Sequence, residues 1–290
     1  MQSKAILRAR TSKRRNVLAL FCLSTLLNGA TDDVRVITQR SLDSGDSNAV
    51  RVHEYYSTKH VDTKQFASDG SVHSETMKTY DYVLIGKLLI RKLMTKDGKP
   101  LPPSDARKED ERVNRIATSR QHETPAEKTA RLVEEEKKTV KQHEFSKEIF
   151  SAFNFRLIGE EQIAGRKNWV IEATPRPGYK PKELRAQIFP HVDAKVWIDQ
   201  QDYLWTKAEA TASSPISFGF GIIAKLEQGA HFYFNQIRTS DGVWLLRDSG
   251  IRAVAHVAIV KRIGVEEVST LDNFRKVPSG VVVVDDSPGN

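Results

Sequence analysis

The sequence predicts a β-rich α+β fold: a single antiparallel half-barrel sheet of about ten strands, with one N-terminal and two central helices covering its concave face. Three observations carry this. Alternating apolar and polar runs of strand length recur at regular spacing, separated by Gly, Asp and Asn turns. A block in the middle, residues 104–154, contains no glycine and one proline and is dense in Lys, Arg and Glu. The 290 residues and 39% hydrophobic content support one large core, while 28% charged residues argue against a polytopic membrane protein.

Residues 1–30 read as a secretory leader. Lys4, Arg8, Arg10, Lys13, Arg14 and Arg15 precede the apolar run Val17–Leu27, and Asn28-Gly29-Ala30 follows, the basic, apolar, small-residue order of an export signal. The run is shorter than the roughly 20 residues of a spanning helix, and an anchoring N-terminal helix is the alternative. Removing six cations and no acid takes the net charge from +8 to +2, so the basic balance belongs mostly to the leader and no nucleic-acid partner is expected. Cys22, the only cysteine, also falls in the leader, which leaves the remainder without disulfide, thiolate metal site or cysteine redox chemistry. Phe21 before it is too bulky for a good lipoprotein cleavage site.

From residue 31 the elements follow in order. Asp32–Leu42 predicts a short helix ended by Ser44-Gly45. Val50–Val61, Ser71–Leu84 and Leu88–Thr95 alternate as strands, and Lys96-Asp97-Gly98-Lys99-Pro100 closes this meander with a turn. Ser104 can cap a first central helix beginning at Asp105. Thr124-Pro125-Ala126-Glu127 is a capping box with Pro at the first helical position, starting a second helix to about Phe153. The charge run 134–138 within it reads as a solvated face. Strands return at Phe155–Gly165, Trp169–Pro175, Ala194–Asp199, Leu204–Ala212, Lys225–Arg238, Val243–Asp248, Arg252–Ile263 and Glu266–Arg275. One domain spanning 31–277 is expected, with 278–290 as a flexible tail in which Val281–Val284 could add an edge strand.

Several of these segments together resemble a known family. The order of leader, short helix, strand pairs, Asp97-Gly98-Lys99-Pro100-Leu101 and charged helical segment is followed by Ile163-Ala164-Gly165-Arg166, Trp169-Val170-Ile171, a proline-rich loop and Val196-Trp197-Ile198-Asp199. Residues 155–212 carry the most specific part of the likeness. The chain resembles the outer-membrane lipoprotein-sorting superfamily, the LolA/LolB-like fold of periplasmic carriers. The resemblance implies an unclosed β-barrel covered by helices, whose apolar cavity holds acyl chains or the lipid anchor of a lipoprotein.

Chemistry-bearing motifs are otherwise lacking. No HExxH, GxSxG, Walker A or dinucleotide fingerprint occurs, the histidines lack close ligand spacing, and neither a catalytic residue, a metal site nor a cofactor is expected. Asp199, Asp202 and Glu209 of the hairpin Ala194–Ala210 read as turn or solvated acids, with Val196, Ile198 and Leu204 on one face and Trp197 and Trp205 on the other. The candidates for a cavity wall or a flap at its mouth are Trp169, Trp197, Trp205, Phe218, Phe220, Phe232 and Phe234. Arg176, Lys180, Lys182 and Arg185 make the proline-rich loop basic, suited to phosphate or partner contacts. The expected function is non-enzymatic binding of a lipid, a lipidated protein or another apolar ligand by a monomer in the periplasm or envelope, with peripheral membrane contact. The alternative is an envelope interaction or sensor protein that uses helices 104–154 to hold a protein partner.

Overall fold

The first helix is longer than its sequence suggests. In this computed structural model, which describes residues 33–218, 224–257 and 261–284, α1 spans Val34–Val52. It starts where the Asp33 carboxylate accepts the Arg35 amide at 3.0 Å. It does not stop at Ser44-Gly45, because Asn48 beyond them is gripped by another part of the chain: its side-chain amide donates to Trp244 O at 2.8 Å and accepts from Trp244 N at 2.9 Å. The strand expected from Val50 consequently begins at Tyr55. The leader segment, Cys22 and Phe220 lie outside the described residues.

The meander follows as β1 (Tyr55–Phe66), β2 (Val72–Ile85) and β3 (Leu88–Lys96), with a two-residue β4 (Lys99–Pro100). Asp97 and Gly98 between β3 and β4 both take positive φ, 53° and 70°, as a tight two-residue hairpin turn requires. α2 (Pro103–Gln121) starts two residues earlier than expected, with Pro102 rather than Ser104 at its N-cap. α3 (Pro125–Ala152) carries the anticipated capping box: Thr124 Oγ1 accepts the Glu127 amide at 3.2 Å and Glu127 accepts the Thr124 amide at 2.8 Å.

The remaining strands are β5 (Phe153–Ile163), β6 (Arg166–Pro175), β7 (Val192–Asp199), β8 (Trp205–Ala212), β9 (Ile216–Phe218), β10 (Ala224–Leu226), β11 (His231–Arg238), β12 (Trp244–Val257), β13 (Lys261–Lys276) and β14 (Val282–Val284), with a 3₁₀ segment Arg185–His191 before β7. Two expectations change here. The run Lys225–Arg238 is split into β10 and β11 around Gly229, whose φ of 88° no extended residue adopts. The pieces 243–248 and 252–263, read as separate strands, merge across residues 244–257 into β12. The tail residues Val282–Val284 take the edge-strand option, pairing in parallel with Leu88–Ile90.

All fourteen described strands join one open sheet, ordered β14-β3-β2-β1-β13-β12-β11-β8-β7-β6-β5, with β4 on β3 and the β9–β10 pair on β12. The sheet does not close into a barrel. Its core lies in three clusters. Ile37 of α1 packs with Trp169, Ile171, Val196, Ile198 and Ala208. The last turns of α3, through Phe145, Ile149 and Ala152, meet Phe153, Ala173, Phe189 and Ala212. α2 seals the β3 edge, setting Val113 and Ala117 against Ile90 and Val284.

Candidate functional site

One line of cross-strand neighbours crosses the whole concave face, the face on which α1 lies. Residues directly opposite in a ladder share a face. Pairing in register therefore links Leu157, Ile171, Val196, Ala208, Phe234, Ser249, Ser269, Val61, Lys78, Lys96 and Lys99, one from each of eleven strands. The row is apolar at its β5 end, small and polar in its middle, and cationic at its β4 end. A parallel row, Phe155, Ala173, Ala194, Ala210, Phe232, Ile251, Glu267 and Thr63, repeats the pattern without the lysines. Its three alanines leave room for the α3 side chains Phe145 and Ile149 to pack onto that row.

Of the aromatic candidates, Trp169 is buried beneath α1, whereas Trp205, Phe232 and Phe234 are half-buried on the same face. Trp205 and Phe234 stack with centroids 6.1 Å apart and planes 2° from parallel. The expectation that Trp205 shares a face with Trp197 fails. Register shifts between Trp197 and Ile198, so that Trp197 opposes Lys207 and Ile198 opposes Trp205. This leaves Thr206 as the extra residue of a β-bulge, which turns Trp205 onto the concave face. Thr206 is held inward by hydrogen bonds to Asn168 Oδ1 at 2.8 Å and Trp197 O at 3.2 Å.

Trp197 itself leaves the candidate cavity wall, because alternation places it on the opposite face. There its indole N–H donates to Glu161 at 2.6 Å and its ring lies under Lys207 and Lys195. Phe218 ends β9, and its side chain, like Phe220, lies outside the described residues. The flap expected over 218–220 therefore stays an expectation.

The three hairpin acids are structural. Asp199 is fully buried and receives Arg166 through two bonds of 2.6 Å, while its Oδ1 also accepts the amides of Gln201 and Asp202. Asp202 Oδ2 accepts Arg238 at 2.6 Å, Trp244 Nε1 at 2.9 Å and Arg166 at 3.1 Å. Burial pushes the Asp202 carboxyl up, but the Trp244 indole, Arg238 and Arg166 together outweigh it and hold the group below the ordinary aspartate range. Glu209 pairs with Lys207 at 2.7 Å. Tyr203, at the turn, donates no chemistry either: Arg40 of α1 reaches its hydroxyl at 2.7 Å and docks the helix there. The network escaped sequence reasoning because Arg166, Arg238 and Trp244 are remote from Asp199 in sequence.

The basic loop divides. Arg176 donates to Phe153 O, and Arg185 stacks 4.1 Å from the Phe145 ring while bonding Gln142 and Lys141 O. Arg185 thereby holds α3, and Arg176 holds its junction with β5. Lys180 and Lys182 are exposed and border a cleft of about 560 Å³ lined by Pro181, Leu184, Gln187, Pro190, His191, Pro215 and Ser217. Buried Glu148, which sequence reasoning also missed, ties this loop to α3 by accepting Tyr179 Oη and the Lys182 amide. Burial, then Glu148, push the Tyr179 phenol well above its usual range.

His191 Nδ1 lies 2.8 Å from Ser214 Oγ beside that cleft, but no described carboxylate orients the imidazole as a hydrolytic triad would require. His53, His60 and His73 do not converge. His60 meets Thr79 and Asp272, and no described group of three His, Cys, Asp or Glu is placed to hold a metal. No described helix is long and apolar enough to cross a membrane.

No family model and no curated protein matches the sequence. Among solved structures the chain is similar to a DUF1329 family protein from Desulfovibrio piger, with a TM-score of 0.32 and 12% identity over 86% of this chain and 95% of that one. It is also similar to a putative outer membrane lipoprotein-sorting protein domain from Vibrio parahaemolyticus, with a TM-score of 0.32 and 11% identity over the same shares. A LolA superfamily protein from Nitrosomonas europaea matches with a TM-score of 0.25 and 12% identity, over 86% of this chain and 98% of that one.

Proposed function

We propose that this chain is a non-enzymatic binding protein of the periplasm or cell envelope that holds a lipid, or the acyl chains of a lipidated protein, against the concave face of its half-barrel. The observation that carries this reading is the apolar part of the concave face, where Trp205 and Phe234 beside α1 and Phe232 beside the end of α3 stay half-buried rather than fully packed. Each half-buried aromatic offers apolar area that a ligand would remove from water at about 25 cal/mol per Å². The leader-like residues 1–30 support an envelope location.

The test is expression of the full chain with its leader, gentle purification, and native mass spectrometry of the product. A bound lipid is expected, and the Phe234→Ser variant should retain at most a tenth of it. A wild-type protein that emerges without lipid and takes up no fluorescent fatty acid sinks the proposal.

A second reading has its own support. The first turns of α3, residues 125–142, are exposed apart from Arg131, and Leu132, Val133 and Val140 there are 49%, 44% and 50% exposed. Such a row suits a protein partner. Deleting 104–154 would not test this cleanly, since Phe145, Ile149 and Ala152 belong to the core. The combined substitution of Leu132, Val133 and Val140 by Gln leaves the core intact. It should abolish partner capture from envelope extract without altering lipid uptake, and unchanged capture rejects this reading.

A further inference from the structure

The cationic end of the cross-strand row has no account in the fold. Lys78 lies directly opposite Lys96, and Lys96 directly opposite Lys99, on one face of β2, β3 and β4. Lys59 shares the face, beside Tyr80 and diagonal to Lys78. Like charges placed directly across a ladder destabilise it, and elsewhere this sheet avoids the conflict by pairing. On the opposite face of the same strands, Lys64 meets Asp62 and Glu75 at 3.6 and 3.3 Å, and Arg275 meets Asp81. Further along that face Arg252 meets Glu266 at 3.5 Å, and Arg156 meets Glu172 at 2.6 Å.

No ion pair joins Lys59, Lys78, Lys96 or Lys99 to any described carboxylate. Asp97, next to Lys96 in sequence, is committed to the backbone, accepting the Met77 amide at 3.0 Å. A local rule broken only on the concave face, and only at one end of it, points to a bound anion as the missing partner.

The same row says what carries that anion. From Phe234 to Lys78 are four strand spacings, about 19 Å, and Ser249, Ser269 and Val61 fill the interval. One leaflet of bilayer hydrocarbon is about 15 Å deep. An acyl chain lying from the Trp205–Phe234 stack towards β1 therefore brings its headgroup to the lysines. We propose that Lys59, Lys78, Lys96 and Lys99 form a headgroup site for the phosphate of an anionic phospholipid whose acyl part occupies the apolar half of the face. This rests on the lipid-binding reading above and names the class of lipid.

The experiment measures binding of the full chain to vesicles of phosphatidylglycerol and of phosphatidylcholine with identical acyl chains, for wild type and for the double variant Lys78→Gln/Lys96→Gln. At about fivefold per lysine near an anionic surface, the double variant should bind phosphatidylglycerol roughly twenty-five-fold more weakly. Its affinity for phosphatidylcholine should be unchanged, and its thermal stability unchanged or raised, since a repulsion is removed. Lys195→Gln, on the opposite face, should leave the preference intact. The headgroup site is overturned if wild type binds both vesicles equally, if the variant keeps its phosphatidylglycerol affinity within twofold, or if inorganic phosphate or an oligoglutamate competes as well as the lipid. In the first two cases lipid binding itself still stands. Binding to neither vesicle removes both proposals.

Discussion

Asp199 has no exposed surface, and its carboxylate oxygens are satisfied by two bonds from Arg166 and by the amides of Gln201 and Asp202. Neutralising a carboxylate so placed leaves Arg166 with only its 3.1 Å contact to Asp202 and removes the charge its buried partners are arranged around. Asp199→Asn should therefore cost about 3 kcal/mol in unfolding free energy, read by urea titration, with little change in lipid uptake. Asp202 adds a pH dependence. Its carboxyl is depressed in the folded protein, so the stability it contributes is fully present above the unfolded aspartate value of about 4 and is lost as pH falls through the lower folded value. Urea midpoints measured at pH 7, 5 and 3 should fall at the acid end, and the fall should be shallower in Asp202→Asn. Arg176 and Arg185, candidates for phosphate or partner contacts, also anchor the end of α3 and its junction with β5, a role sequence spacing alone does not reveal because their carbonyl and aromatic partners lie far from the loop in sequence.

At the scale of elements, signals confined to a few residues were readable. The capping box at Thr124, the Asp97-Gly98 turn and the Gln200–Tyr203 hairpin appear where their chemistry predicts. Features set by remote partners were not. Asn48 carries α1 through Gly45 by bonding Trp244, and Thr206 flips Trp205 by bonding Asn168. Gly45 therefore sits in a helix interior with open space around its missing side chain. Gly45→Ala should raise stability by about 1 kcal/mol, seen as a higher urea midpoint. Gly250 is the contrary case: a Cβ there would stand 2.4 Å from the Tyr233 ring. Gly250→Ala should lower stability by about 1 kcal/mol or more through that crowding.

For the whole molecule, the sequence made the open antiparallel sheet and its helical insertion legible, since both depend on periodicity and turn spacing. Strand order was not legible, because no local signal says that β1 pairs with β13, and the lysine row emerges only once register is known. Edge protection belongs to this scale too. β14 covers Leu88–Ile90 of β3, and its Val284 is buried against Ile90 and Val113. A chain truncated after Pro278 should lose stability and associate through the uncovered β3 edge, visible as a shift to larger species in size-exclusion chromatography.

The β1–β13 ladder also fixes an order of events. Tyr55 pairs with Lys276 and Phe66 with Gly264, so the N-terminal meander has an unsatisfied edge until almost the last residues of the chain have been synthesised. No early stretch of the polypeptide can complete the sheet alone. Closing that seam spans most of the chain and carries the slow kinetics of distant pairing.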